Sequence, residues 1–535
     1  MDDDGQGEQQ AAAGTPVPPV PGQILSRFAV FILTFLAFLC HWLSVPPVGW
    51  FPVVFLTPVL WSVLCLLPSS RSYYRQAWLG ALCFWLLVTR WVGFPHPATI
   101  LGYLALSVYL ACYFPIYLLM VRRLLAWRIP LLLAVPVPFL CVEYLRKHIF
   151  GGFSFASMEH AFYRHPILIQ LADLPGGEYL VGLMILLVGT ALGLLAREMV
   201  SSQKTRPGIA FLLLCVIGSV LGVALGYGYV RLHQWPVAES ESGSRLHIAL
   251  LQDATTFRFP VDSETNLEIH RSYMALSQKA SHFAADNGFT LDLIVWPEGC
   301  FAAPHYDVTE DGFFPGPDET PLAERIRSSR EVVDRERDDF FTLSRQLQSP
   351  LVLGIGSAIY DHRGEGAYYN SALFVREPDL LRYDKMHLVM FGEYLPFADQ
   401  LPDWFPLKTL CVSVRPGREP VVFPLTSGEK RARVLVNICF ESSSSRFIRR
   451  QVQYLRARNE EPDLLLNLSN DGWFRHCSQV DWHLATCVFR AVENRKPMLS
   501  AVHGGLSAWI DPAGRIRRQL DRRDTNFLIA EPCVK

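Results

Sequence analysis

At 535 residues the chain is too long for one small domain, so two or more units are expected. Its 49 Lys and Arg against 50 Asp and Glu give a formal net charge of −1, which excludes a broad basic footprint for nucleic acid. The hydrophobic half of the composition is unevenly spread: up to Leu232 the chain is apolar and aromatic with charges only in short clusters, and from Ser244 it reads like a soluble globular protein.

In chain order, residues 1–22 (MDDDGQGEQQAAAGTPVPPVPG) are acidic, then rich in Pro and Ala. They hold too little apolar surface to order themselves and lack the basic start of a cleaved signal, so a flexible cytoplasmic tail is expected. Residues 23–232 are expected to form a transmembrane helical domain. A span takes ~20 mostly apolar residues. Suitable stretches are 25–43, 50–67, 77–92, 100–119, 131–144, 179–195 and 209–230, giving about seven spans. Pro52, Pro58, Pro115, Pro136 and Pro138 interrupt some of them, which membrane helices tolerate when neighbours satisfy the freed backbone groups. With the N-terminus inside, the inner loops carry Arg71, Arg75, Arg122, Arg123, Arg128, Arg197, Lys204 and Arg206. That bias favours a cytoplasmic N-terminus, and an odd number of spans then delivers the second half to the outer side. The connection 143–177 mixes charges with Phe and Tyr and is long for a bundle. It reads equally as a functional loop or as an amphipathic loop at headgroup level.

Residues 244–535 alternate short apolar runs with helical patterns, the signature of a layered α/β domain. RLHIALLQ, LDLIVWP, SPLVLGIGSAIY, ALFVRE, RVLVNICF and DLLLNLSN read as strands, and NLEIHRSYMALSQKASHFAA as a helix. Glu298, Lys385 and Cys439 each stand at or near such a strand end, and strand ends on one sheet edge converge in space. Cysteine between a strand and the helical pattern FESSSSRFIRRQV is expected near a helix N-terminus, where the dipole favours thiolate. A carboxylate in a partly apolar pocket accepts the thiol proton and returns it to a leaving group. An ammonium stabilises the oxyanion of a tetrahedral intermediate. Together they make a covalent acyl-transfer centre. Taken singly the signals are weak: a strand-end Cys is more often core, a Glu after Trp-Pro a turn, and a Lys after Tyr-Asp solvated.

WPEG, YDKMHLVMFGEYLPF and NICFE, in that order, resemble the carbon–nitrogen hydrolase (nitrilase) superfamily and its Glu–Lys–Cys triad. With the apolar first half, the chain from about residue 25 to 530 resembles the apolipoprotein N-acyltransferase family, further segments being NLSNDGWF, FRAVENRKPML and SAWIDPAGR. The resemblance implies a multi-domain protein: an N-terminal polytopic α-helical membrane bundle plus an α/β nitrilase-like αββα sandwich. It implies Glu298 as general base, Lys385 as oxyanion stabiliser and Cys439 as the nucleophile that becomes a thioester. It also implies support from Glu393, Phe440 and Glu441. No metal or other cofactor is implied. The implied partners are a phospholipid acyl donor and a diacylglyceryl-modified apolipoprotein acceptor, at a bacterial inner membrane with the catalytic domain on the periplasmic side.

The chain departs from the family pattern in places. Phe440 replaces a common Tyr, Met390 a Pro, His503 an Asn, and LLQDATTFRFP lacks the usual tryptophan. The last residues read FLIAEPCVK, without the final span that many relatives have after the nitrilase-like domain, so a domain tethered at one end is expected. The competing readings are a membrane-tethered amidase or nitrilase, and a non-enzymatic scaffold or transporter. His476, Cys477, His483 and Cys487 invite a metal site, but the simpler reading is one helix without a ligand. Of the twelve cysteines none forms a CxxC pair, and about half lie in apolar runs as small hydrophobes.

Overall fold

The computed structural model describes residues 21–68, 70–200, 206–235, 244–256, 263–317, 320–400, 402, 413–428, 430–475 and 477–534. Every apolar stretch read as a span falls on helix: Pro21–Ser44, Leu56–Leu66 behind the 3-10 turn Phe51–Phe55, Arg71–Val88, Thr99–Ala126, Leu131–Ala134 with Pro136–Arg146, Glu178–Val200 and Pro207–Gln234. Among the described residues Thr99–Ala126, Glu178–Val200 and Pro207–Gln234 are long and apolar enough to cross a membrane, while Phe28–Ser44 and Phe51–Leu66 are shorter apolar helices. The 131–146 segment breaks at Val135, before Pro136, whose ring removes a helical hydrogen bond. Close packing within this half uses small residues: a Cβ on Gly189 would lie 2.2 Å from Pro58 Cγ and 2.6 Å from the Phe55 carbonyl.

The second half is a sandwich of two sheets. In one, strands Ile248–Gln252, Leu293–Val295 and Leu351–Tyr360 run parallel, continued antiparallel by Gly366–Arg376 and Asp379–Asp384. In the other, Lys430–Ile438, Leu464–Asn470 and Met498–His503 run parallel, flanked by antiparallel Val422–Ser427 and Ala508–Ile510. After Ile516–Gln519 on the second sheet the chain crosses back, and Asn526–Ala530 pairs antiparallel with Ile248–Gln252.

Strand alternation builds the layers. Ile248, Leu250, Val434, Val436, Leu464 and Leu466 face the space between the sheets. Their neighbours Ala249 and Leu251 face outward onto helix Ser263–Asp286. On the far side Leu435 and Leu465 share a core with Ile448, Val452, Trp482 and Val488 of helices Ser445–Ala457 and Gln479–Asn494. That core runs without interruption into the apolar helices of the first half. The outer helix layer of the sandwich is thus the surface on which the first half docks.

Polar contacts cross the same boundary. The loop 143–177, read as either functional or interfacial, is largely buried between the halves over residues 153–163. Ser154 donates to the Ser443 carbonyl at 2.9 Å, and Trp482 Nε1 donates to the Pro46 carbonyl at 2.6 Å. Arg490 is fully buried and pairs with Glu178 at 2.6 Å and Glu493 at 2.9 Å. Glu178 also receives Lys147 at 2.7 Å. Such groups are tolerated in a water-poor boundary only as a compensated set. Arg490→Met leaves two buried carboxylates short of a partner. It is expected to destabilise the detergent-solubilised protein by about 3–5 kcal/mol in a denaturant melt. A change within about 0.5 kcal/mol would contradict this account of the boundary.

Candidate active site

Three strand ends deliver the site. Glu298 follows Leu293–Val295 and the buried Trp296. Its backbone is pressed against Gly354 on the neighbouring strand, where a Cβ would lie 2.6 Å from Glu298 Cα, so only glycine fits. Lys385 follows Asp379–Asp384, and its amide donates to the Asn370 carbonyl at 2.8 Å. Cys439 follows Lys430–Ile438 and opens the 3-10 turn Cys439–Ser443 at φ +53°, a left-handed conformation that costs a non-glycine residue energy.

The Lys385 ammonium is 1% exposed, 2.8 Å from Glu393 Oε1 and 3.4 Å from Glu298 Oε1. Asn370 Nδ2 donates to the same two oxygens, at 2.9 and 2.7 Å. The second oxygen of Glu298 accepts the Asn470 amide at 3.0 Å, and that of Glu393 accepts the Val389 amide at 2.8 Å. Burial disfavours the ammonium, but the charges of Glu298, Glu393 and the Cys439 thiolate outweigh it and hold Lys385 above its ordinary range. Burial likewise acts to raise Glu393, and the adjoining ammonium overrides it, holding that carboxylate below its usual range.

The sequence reading and the structure differ at the thiol. Helix Ser445–Ala457 begins beyond the 3-10 turn, with Ser444 as its cap, so no helix dipole acts directly on Cys439. Burial pushes the Cys439 thiol well above its ordinary value, and Glu298 and Asp471 push the same way. Lys385 and a hydrogen bond with Ser469 oppose them. Cys439 therefore rests as a thiol beside a base and a cation, and becomes a thiolate only as the proton leaves.

Glu441 joins the cysteine turn to the lysine turn. Fully buried, it accepts the Ile438 amide at 2.7 Å, the amides of Met386 and His387 at 2.7 and 2.9 Å, and the Tyr383 hydroxyl at 2.9 and 2.8 Å. Burial pushes it up to about 7, against the pull of the His387 and Ile438 amides. The Phe440 ring lies stacked with His387 at 5.8 Å and edge-on to Phe155 at 5.9 Å. Glu298, Lys385, Glu393 and Cys439 thus meet in one place, with Glu441 and Phe440 beside them.

Asn370 carried no distinguishing signal in the sequence, and Tyr383 and Asp471, though inside the segments YDKMHLVMFGEYLPF and NLSNDGWF, carried no role of their own. His483, considered there only as a metal ligand, is buried between Asp471 Oδ1 at 3.2 Å and the Cys439 carbonyl at 3.0 Å. Burial lowers its pKa, but Asp471 prevails and raises it, and both neighbours are acceptors, so the ring donates from both nitrogens. It holds the carbonyl of the strained Cys439. The stabilisation this confers is complete below the ordinary histidine value and is lost as pH rises through the raised one. Among the described residues no group of three His, Cys, Asp or Glu is placed to hold a metal ion, and His476 lies outside them. Cys300 and Cys477 are free thiols, and Cys411 lies outside the described residues. Along the loop after Lys385, whose apolar side chains are read from the sequence either as dipping into the membrane interface or as local core, Phe391 and Phe397 are exposed and Tyr394 and Leu395 half-buried, while Trp404 and Phe405 lie outside the described residues.

Comparisons with known proteins agree along most of the chain. Residues 26–191 match the model of the apolipoprotein N-acyltransferase N-terminal domain, and residues 247–532 match that of the carbon-nitrogen hydrolases. A protein from Rhodopirellula baltica named apolipoprotein N-acyltransferase is 29% identical, covering 92% of this chain and 89% of its own. One of the same name from Geobacter metallireducens is 30% identical, covering 89% and 84%. Among solved structures, a mutant amidase of the nitrilase superfamily from Nesterenkonia is 20% identical with a TM-score of 0.35, covering 54% of this chain and 91% of that one.

The raised thiol predicts that alkylation of Cys439 by iodoacetamide accelerates about tenfold per pH unit through pH 9, without the plateau near 8.5 of a free cysteine. Because the Glu298 charge holds the thiol up, Glu298→Gln is expected to speed alkylation at fixed pH while acyl transfer is lost. A plateau below pH 8 read by mass spectrometry, or slower alkylation in the variant, would contradict the electrostatic assignment.

Proposed function

The chain belongs to the apolipoprotein N-acyltransferase family and is a membrane-associated acyltransferase of lipoprotein maturation; on that premise we propose that it works through a thioester on Cys439, with a phospholipid as donor. The observation that carries this reading is the buried Lys385 ammonium, held between Glu298 and Glu393 and set against the Cys439 turn.

In the first half-reaction Glu298 removes the thiol proton as Cys439 Sγ attacks the carbonyl carbon of a fatty ester. The oxygen of that carbonyl gains the electron pair, and the Lys385 ammonium balances its charge. Collapse breaks the ester C–O bond, Glu298 returns its proton to the departing alkoxide, and a lysophospholipid leaves. In the second half-reaction the α-amine of a diacylglyceryl-modified N-terminal cysteine attacks the thioester. Glu298 takes the amine proton, the C–S bond breaks, the thiol re-forms and an amide remains. Glu393 and Asn370 act as positioning groups, because each fixes Lys385 or Glu298 without the freedom to reach a substrate bound to both. Glu441 positions the two turns, and Phe440 packs beside the thiol.

Both substrates carry lipid tails, which gives the docked apolar helices a purpose beyond anchoring. We assign residues 1–22 to a cytoplasmic tail, 23–232 to a multi-pass bundle and 244–535 to the catalytic domain on the periplasmic side of the inner membrane. The Arg and Lys bias of the loops supports this orientation. Water as acceptor would turn the same centre into a hydrolase, but the names of the relatives favour transfer.

The test is complementation of a bacterium depleted of its own lipoprotein N-acyltransferase. The wild-type chain is expected to restore growth and N-acylated lipoprotein, Cys439→Ala neither, and Cys439→Ser at most about 1% of the transfer rate. Full activity of Cys439→Ala would refute the proposal.

A further inference from the structure

A cavity of about 420 Å³ lies between the halves immediately beside the catalytic turn. One wall is the end of helix Pro136–Arg146 and the turn after it, with Tyr144, His148 and Gly151; a second is the start of helix Ser445–Ala457, and residues 175–179 form a third. Phe440, next in sequence to Cys439, and Ser443 close its inner edge. Its volume suits a small polar headgroup rather than an acyl chain with its glycerol unit.

The charge on its lining is positive in excess, with Glu178 the one lining carboxylate among the described residues. Of the lining cations, Lys147 is already neutralised by Glu159 and Glu178. Arg446 and Arg450 are not, while the charge of Arg449 acts on Glu493. Arg446 donates to the Tyr144 hydroxyl at 3.2 Å. Arg449 donates to the carbonyls of Ala172 and Leu174 at 2.8 and 3.2 Å. Arg450 has no hydrogen-bond or ion-pair partner among the described residues. Glu493, behind the lining, pairs with Arg490, accepts from Ser445 and also feels the Arg449 charge. Two guanidiniums without a carboxylate partner, Arg446 and Arg450, beside a cavity at the boundary of the apolar helices, are chemically matched to a phosphate diester, whose oxygens take paired N–H donors.

We propose that this cavity binds the phosphate of the phospholipid donor, and so selects the donor and sets its ester over Cys439. The inference rests on the donor reading above and adds the residues that read the headgroup. The glycerol unit separates a phosphate from its fatty ester by only a few bonds, and the cavity is separated from the thiol by one residue of chain. The positive lining also distinguishes the donor from the acceptor, whose lipid-bearing cysteine carries no phosphate and a protonated amine.

The experiment uses the full chain in mixed micelles with a fixed diacylglyceryl-cysteine peptide as acceptor and two donors: phosphatidylethanolamine, and phosphate-free p-nitrophenyl palmitate. The readout is the ratio of kcat/KM for the two. In the Arg446→Gln, Arg450→Gln double variant this ratio is expected to fall at least ten-fold, mainly through KM for the phospholipid. Glycerol phosphate is expected to compete with phospholipid in the wild type. Arg458→Gln, on the exposed end of the same helix, is the control and is expected to leave both donors as in the wild type. A ratio unchanged in the double variant would overturn the headgroup site, and so would an effect of glycerol phosphate equal for both donors, the mark of a free-anion site unconnected with the donor. A wild type that uses the nitrophenyl ester but no phospholipid would instead overturn the donor reading, and this inference with it.

Discussion

An ammonium with 1% exposure cannot stay charged in a protein interior unless opposite charges stand against it, and Lys385 has two. Most of the site follows from that requirement. Glu298 and Glu393 approach from different loops, and Asn370 keeps their near oxygens together by donating to both. Backbone amides of Asn470 and Val389 orient the far oxygens. The result is a fixed positive point beside the Cys439 turn, in a place where water screens little and an oxyanion gains the most from it.

The cysteine turn is held with equal care, and by other means. Cys439 carries a positive φ, which the surroundings must impose. Glu441 does so from below by collecting amides from both the cysteine and the lysine turns. His483, backed by Asp471, does so from the side by donating to the Cys439 carbonyl. His483 also lies on the helix layer that docks against the apolar half, and Phe155 of the long loop packs on both His483 and Phe440. The membrane-side half therefore supports the catalytic turn directly, as an acyltransferase with lipid substrates requires.

Much of this was legible in the sequence because it rests on short-range regularities. Short apolar runs marked the strands, and Glu298, Lys385 and Cys439 stood out because they follow in the order and with the neighbours of the nitrilase pattern, at strand ends that can converge. The Pro136 break was signalled by its own ring chemistry. The roles of Asn370, Tyr383, Asp471 and His483 were not legible, even where Tyr383 and Asp471 lie in family-like segments, since each acts through a partner that only the folded chain brings to it. The helix-dipole argument for the thiol failed for a related reason. A run of four serines after Cys439 fits a helix start, but the chain spends Cys439–Ser443 in a 3-10 turn that lets Glu441 reach back to the Ile438 amide, and the α-helix is delayed to Ser445. Burial, which no local pattern reveals, then sets the state of the thiol.

The central claim is that the three strand-end groups form one covalent transfer centre, and its most direct measurement is the mass of the protein after incubation with a single defined phospholipid and no acceptor. The account predicts one added acyl group on the peptide bearing Cys439, removed by neutral hydroxylamine as a thioester is, and absent in Lys385→Met. An acyl group on another residue, or transfer to acceptor with no acyl-enzyme under conditions that trap one, would contradict it.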